Sequence, residues 1–180
     1  MSDFSVARQF FSNGIAFLPP GNHWDCQYHL SLELYEAASN SALATGDIGS
    51  LQALSTEMFN HARCFEDKLN IEFIVVSALF HVSKLSEALE KSREILSQLG
   101  EGIPSNPSRE ALVDEIQKTK AMIKGLSEDQ LLNYRPMTDN IKLVAMRFLA
   151  KIEVIALIVD PTLHPFITLK MMQLTVMYGK

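Results

Sequence analysis

The chain has 180 residues, 47% of them hydrophobic, with 21 acidic against 16 basic side chains and a net charge of −5. That length supports one sizeable domain or several stacked repeats, and the apolar content excludes a disordered chain. The negative balance excludes a general attraction to nucleic acid or anionic membrane. Two cysteines, Cys26 and Cys64, without framework spacing fit a reducing, cytoplasmic compartment.

Phe4, Ala7, Phe11, Ile15 and Leu18 recur at helical spacing, and Pro19-Pro20-Gly21 ends that first helix. A second helix is predicted from about Trp24 to 45, with Tyr28, Leu32, Tyr35, Ala38 and Ala42 on one face. Gly46-Asp47 forces a tight reversal into a third helix over 47–65 carrying Leu51, Leu54, Met58, Ala62 and Phe65. A fourth follows over 67–81, and a fifth over 84–99 with Gly100 as its C-terminal cap. Residues 101–107 read as a linker, with Asn106 capping a helix whose first turn starts at Pro107 and which ends at Gly125. Ser127 and Gln130 have capping-box spacing for a short helix ended before Pro136. Thr138 or Asp139 caps the next helix, to about Val159, and Asp160-Pro161 starts the last one, which ends near Gly179. No alternating strand pattern occurs, and the fold class is all-α.

The helices repeat. Aligning Gly46-Asp47 with Ser83-Lys84 places Leu51 over Ala88 and Met58 over Ile95, a shift of 37 residues (83 minus 46). That is close to the ~34 of a tetratricopeptide-like hairpin. The expectation is antiparallel hairpins stacked as an α-α superhelix, pairing 24–45 with 47–65 and 67–81 with 84–99. Repeats of this kind fill 1–100, with the first incomplete, and further hairpins fill 108–180, truncated at the C-terminal side.

The last third carries the most specific pattern. A leucine-rich short helix leads into Pro136-Met137-Thr138-Asp139, an Ala145-Met146-Arg147 helix follows, and the final helix ends in Tyr178-Gly179. With the diffuse marks Ala7, Gly14, Trp24, Tyr28 and Ala88, this resembles the helical-repeat region of large cytoplasmic signalling ATPases of the AAA/STAND type. In that family serine/threonine-kinase-like, GAF and histidine-kinase domains accompany the array. The segment Asn133-Tyr134-Arg135 departs from the family's plainer leucine-proline approach. The resemblance implies a regulatory or scaffold segment of a signalling ATPase or kinase, with neighbouring domains or a signalling protein as partner.

Candidate chemistry is sparse. Cys26-x-x-His29 and His61-x-x-Cys64 would sit at similar heights on an antiparallel hairpin, and two thiolates with two imidazoles suit tetrahedral zinc. Thirty-one residues separate the pairs (30 to 60), which matches no finger pattern, and packing is the stronger reading. His81 and His164 have no partner in sequence. The carboxylates Glu33, Glu36, Glu87 and Glu90 and the hydroxyls Ser39, Ser41 and Ser83 lie outside any catalytic context. Lys118, Lys120 and Lys124 read as a solvated helix face, and Met171, Met172 and Met177 as packing against a following repeat. The sequence contains no Gly-x-x-x-x-Gly-Lys-Ser/Thr, kinase Gly-rich loop or His-Arg-Asp. It therefore predicts no catalytic, cofactor-binding or metal residue.

No basic segment with an apolar core opens the chain, and the longest apolar run, Val154–Val159, is far short of the ~20 residues of a membrane span. Apolar residues on several faces between Ile141 and Tyr178 predict an interface that residues beyond Lys180 cover, and hence self-association of the isolated chain. A free-standing adaptor that binds a peptide or protein partner is the alternative function.

Overall fold

The computed structural model describes residues 3–180 except Asn106 and Tyr134. Expectations about Met1, the Asn106 cap, the turn at Tyr134 and the side chains of Phe4, Leu131 and Leu132 lie outside the described residues. Described residues form α1 (Asp3–Ala16), α2 (His23–Cys26), α3 (Tyr28–Thr45), α4 (Ile48–His61), α5 (Leu69–His81), α6 (Leu85–Gln98), α7 (Arg109–Ile123), α8 (Glu128–Leu132), α9 (Asn140–Val159) and α10 (His164–Tyr178). A 3-10 turn, Glu66–Lys68, precedes α5, and no strand occurs among these residues. The fold is all-α.

Two compact units divide the chain, Met1–Ala78 and Leu79–Lys180, so the division falls inside α5. The predicted pairing of 67–81 with 84–99 runs across it. In the first unit α3 packs on both α1 and α4, which gives the predicted hairpin about Gly46-Asp47. Leu18, Trp24, Tyr35, Met58, Ile71 and Ile74 belong to one core. The expected second helix is two: Gln27 (φ −134, ψ 43) interrupts it, separating α2 from α3. The third helix stops at His61 rather than 65, because Ala62 turns extended (φ −60, ψ 127).

In the second unit the helices do not pack in chain order. Helix α6 lies on α9, α9 on α10, and α10 on α7. The core is formed by side chains such as Leu96, Phe148, Leu149, Ile152, Ile167 and Leu174, all fully buried. The expected linker 101–107 lies within this unit, and its first residue is buried (below). Ser108 caps α7 through the Ala111 amide at 3.1 Å, two residues after the predicted cap. Asp160-Pro161 begins no helix. The Asp160 carboxylate instead accepts the Thr162 amide and hydroxyl, which holds a turn, and Pro165 occupies the start of α10. Ser127 and Gln130 form the predicted capping box.

The two aligned turns share their geometry. Gly46 (φ 73) and Ser83 (φ 63) both adopt the left-handed conformation that ends a helix. At the first, Gly46 N donates to Leu43 O and Asp47 N to Ala42 O; at the second, Ser83 N donates to Phe80 O and Lys84 N to Leu79 O. Asp47 and Lys84 then each take the N-cap of the next helix. Asp47 does so with its side chain, which accepts the Ser50 amide at 3.0 Å and also pairs with Arg8.

Candidate functional site

The residues nominated for a metal do not converge. Cys26 and Cys64 are exposed; the Cys26 thiol donates to Asn22 Oδ1 at 3.8 Å. His29 stands edge-on to Tyr28, with ring centroids 5.6 Å apart. His61 lies flat on Trp24, 4.9 Å away with planes 5° apart. Among the described residues no three His, Cys, Asp or Glu side chains are grouped to hold a metal ion.

An aromatic and ionic cluster occupies the place instead. Trp24 Nε1 donates to Glu57 Oε1 at 3.2 Å, and the same oxygen lies 3.3 Å from His61 Nε2. The Arg63 guanidinium sits 3.9 Å over the Tyr28 ring and donates to the Trp24 carbonyl at 2.8 Å. Asp67 accepts from the Tyr28 hydroxyl at 2.5 Å and from the Arg63 and Cys64 amides. Burial alone would push the Asp67 carboxyl up, yet the bonds from Tyr28, Cys64 and Arg63 together hold it below its ordinary range. Burial, reinforced by Asp67, pushes the Tyr28 hydroxyl up. The bonds from the Arg63 and Cys64 amides to Asp67 also hold the chain after His61 in place. Residues 62–65 therefore leave the helix that their apolar spacing predicts. With its bonds spent inside the fold, this cluster ties the end of α4 to α2 and α3.

In the second unit Glu101 is 7% exposed and bridges two helices. Its carboxylate accepts from Lys142 of α9 at 2.7 Å and from Lys170 of α10 at 3.2 Å. The bond to Glu101 outweighs desolvation and raises the Lys142 ammonium above its ordinary range. Lys142 also lies 5.4 Å from the centre of the Tyr178 ring. Beyond Tyr178 the chain closes on the loop before α9: Met137 N donates to Lys180 O at 2.7 Å and Lys180 N to Arg135 O at 3.0 Å. A cleft of about 280 Å³ beside Lys170 is lined also by Asp114 and Glu115. Two carboxylates next to a cation already paired make it a poor seat for an anion. Deeper in the unit, Gln173 Nε2 donates to Glu115 Oε2 at 2.7 Å and to Thr119 Oγ1 at 2.9 Å.

No protein family, curated protein or solved structure matches this chain. The geometry alone therefore bears on function.

Part of the remaining surface is apolar. On α9 Val154, Leu157 and Ile158 are 50%, 52% and 63% exposed, and Leu143 and Val159 are exposed too. Of the other side chains expected in the unfinished interface, Phe148, Ile152, Ile155, Ala156, Phe166, Ile167 and Leu174 are buried inside the unit. Within that stretch the exposed apolar side chains thus lie mainly on α9, and Phe10 and Phe17 are exposed in the first unit. A groove of about 290 Å³ is lined by Ile123, Met146, Met171, Met172 and Val176, with Glu153 at its edge. Met172 and Met177 are exposed. His164 meets Glu153 at 3.5 Å, and Lys118 meets Glu115 at 3.7 Å. No helix among the described residues is long and apolar enough to cross a membrane.

Proposed function

We propose that the chain is a non-catalytic helical scaffold or regulatory segment that works by holding other protein surfaces. One observation carries this reading: its buried polar clusters are spent on joining helices, while α9 offers bare apolar side chains. The repeated turn geometry at Gly46 and Ser83 supports a tetratricopeptide-like repeat as the ancestral unit. The resemblance to ATPase-linked signalling kinases supports a cytoplasmic parent of that kind. Two of its three specific marks, the Pro136–Asp139 junction and Tyr178-Gly179, meet next to one another through the bonds of Lys180. A second reading, an adaptor that holds a peptide, is favoured by the methionine-lined groove, since flexible thioethers adapt to varied partners.

Calorimetric titration of the chain with ATP and magnesium tests the non-catalytic reading. No heat of binding is expected, because the sequence holds no Gly-x-x-x-x-Gly-Lys-Ser/Thr loop of the kind that cradles a triphosphate. Micromolar binding would overturn it.

A further inference from the structure

The methionine-lined groove gathers its sulfurs at one level. The turn at 160–163 sets α10 antiparallel to α9, and Glu153 of α9 meets His164 and Thr168 of α10. Seven residues before Glu153 stands Met146 (153 minus 7), and seven residues after His164 and Thr168 stand Met171 and Thr175 (164 and 168 plus 7). Each step is about 10.5 Å of helix, so Met146, Met171 and Met172 line the groove side by side. Met172 is the open one, 41% exposed, while Met146 and Met171 are half-buried. Met177 on the same helix is 48% exposed; Met58 and Met137, at 1% and 6%, are enclosed.

A thioether is a soft nucleophile, and a peroxide converts it to a sulfoxide. The sulfur lone pair attacks the O–O bond, one oxygen stays on sulfur, and the other leaves as water. The product carries a strong acceptor oxygen where the groove has no use for one. Its two hydroxyls already donate, Thr168 to the His164 carbonyl at 3.1 Å and Thr175 to the Met171 carbonyl at 2.9 Å. Glu153, the other polar side chain of the lining, is a carboxylate and repels such an oxygen. Ile123 and Val176 complete apolar walls. A sulfoxide on Met172 therefore turns out to water and takes the side chain with it, because a polar group held there without a partner is penalised.

We propose that Met172 is a site of reversible oxidation, and that oxygen on its sulfur closes the groove to apolar partners. This deepens, and rests on, the second reading, in which the groove holds a peptide. A methionine sulfoxide reductase reverses the step: its dithiol becomes a disulfide, the thioether returns, and the oxygen leaves as water.

The test uses the full chain with Cys26→Ser and Cys64→Ser, since both thiols are exposed and consume peroxide. Hydrogen peroxide is added, and peptide mass mapping follows each methionine with time. Met172 and Met177 should gain oxygen about tenfold or more ahead of Met58 and Met137, because oxidation follows exposure. Titration with the neutral apolar dye phenylnaphthylamine reads the groove. The oxidised chain should bind it about tenfold more weakly, and reductase with a dithiol should restore binding. Met172→Leu should keep its affinity through peroxide treatment, and Met172→Gln should lose affinity with no oxidant present. Circular dichroism establishes that each variant is folded. A Met172 that oxidises as slowly as Met58 overturns the site. A dye that ignores the reduced chain, or binds equally before and after oxidation, overturns the closing of the groove and leaves the scaffold reading standing. A loss in Met172→Leu as large as in the parent chain puts the effect on another methionine, which also overturns the proposal. A positive ATP titration would refute the non-catalytic reading without touching this result.

Discussion

Adding one methyl group at Gly179 should open the contact between the end of α10 and the loop before α9. A β-carbon there would lie 2.2 Å from the Arg135 carbonyl oxygen and 3.1 Å from both the Met137 nitrogen and the Pro136 carbonyl carbon. All three are backbone atoms, so no side-chain rotation relieves the overlap. Gly179 also has φ 107 and ψ −174, a conformation that costs other residues about 1–3 kcal/mol. The variant can keep the contact with both penalties, or release it and lose two backbone hydrogen bonds at about 0.5–1.5 kcal/mol each. Release is cheaper, so Gly179→Ala should cost about 1–3 kcal/mol. For a chain of this size that lowers Tm by roughly 2–12 °C. Hydrogen exchange at the Met137 and Lys180 amides should accelerate at the same time. Gly125 is the control: nothing lies within 4 Å of an added β-carbon, so Gly125→Ala should not destabilise. An unchanged Tm together with unchanged protection of both amides would refute the reasoning.

Asp67→Asn should destabilise the chain at neutral pH by about 1–3 kcal/mol, since it weakens charge-assisted bonds. The folded carboxyl is held low, so this stability is present above about pH 4 and is lost as pH falls through the folded value. Denaturation at pH 7 and pH 3 should show the gap between wild type and variant closing in acid. Glu101→Gln should cost about 3–5 kcal/mol by leaving Lys142 and Lys170 without their shared anion. The raised Lys142 adds that its contribution is full below about pH 10.4 and fades as pH rises through the folded value; alkaline melts of the two proteins read this. Ala88 is fully buried in α6, and Ala88→Leu should overpack it by about 1–3 kcal/mol, measured by urea denaturation.

Local features were the legible part of this sequence. Gly46-Asp47 announced the reversal, which the structure builds from a left-handed helix end and the cap that follows, because each residue's backbone preference is expressed within four residues of itself. The Ser83 turn was legible only by alignment with Gly46, since serine carries no left-handed signal of its own. Long-range features were silent. Nothing near Phe65 hints that Asp67 will bind Tyr28, 39 residues earlier, and hold the chain out of the helix. Glu101 follows a glycine cap in a run that reads as linker, and only the docking of α9 and α10 makes it a buried bridge. Periodicity gives each helix an apolar face without naming its mate, so the packing of α7 on α10 rather than on a sequence neighbour could not be foreseen. The outer stripe of α9 was half visible: its apolar residues were counted, but which of them α6 and α10 would cover depended on that packing.

Gln173, 2% exposed, gives the second unit a means of choosing among near-equivalent dockings. Apolar surfaces are forgiving, and two greasy helices can slide past one another by a turn with little loss. An amide that finds both Glu115 and Thr119 in one position finds neither after such a slip, and a stranded buried donor costs about 1–3 kcal/mol. Helix α7, reached through the segment 101–107, has the opportunity to settle wrongly. The glutamine acts as the ward of a key, adding less to total stability than a leucine of the same volume while making the alternatives poorer still. In the Gln173→Leu chain the unit would hold together as firmly, and α7 would be the part that no longer knows where to stop.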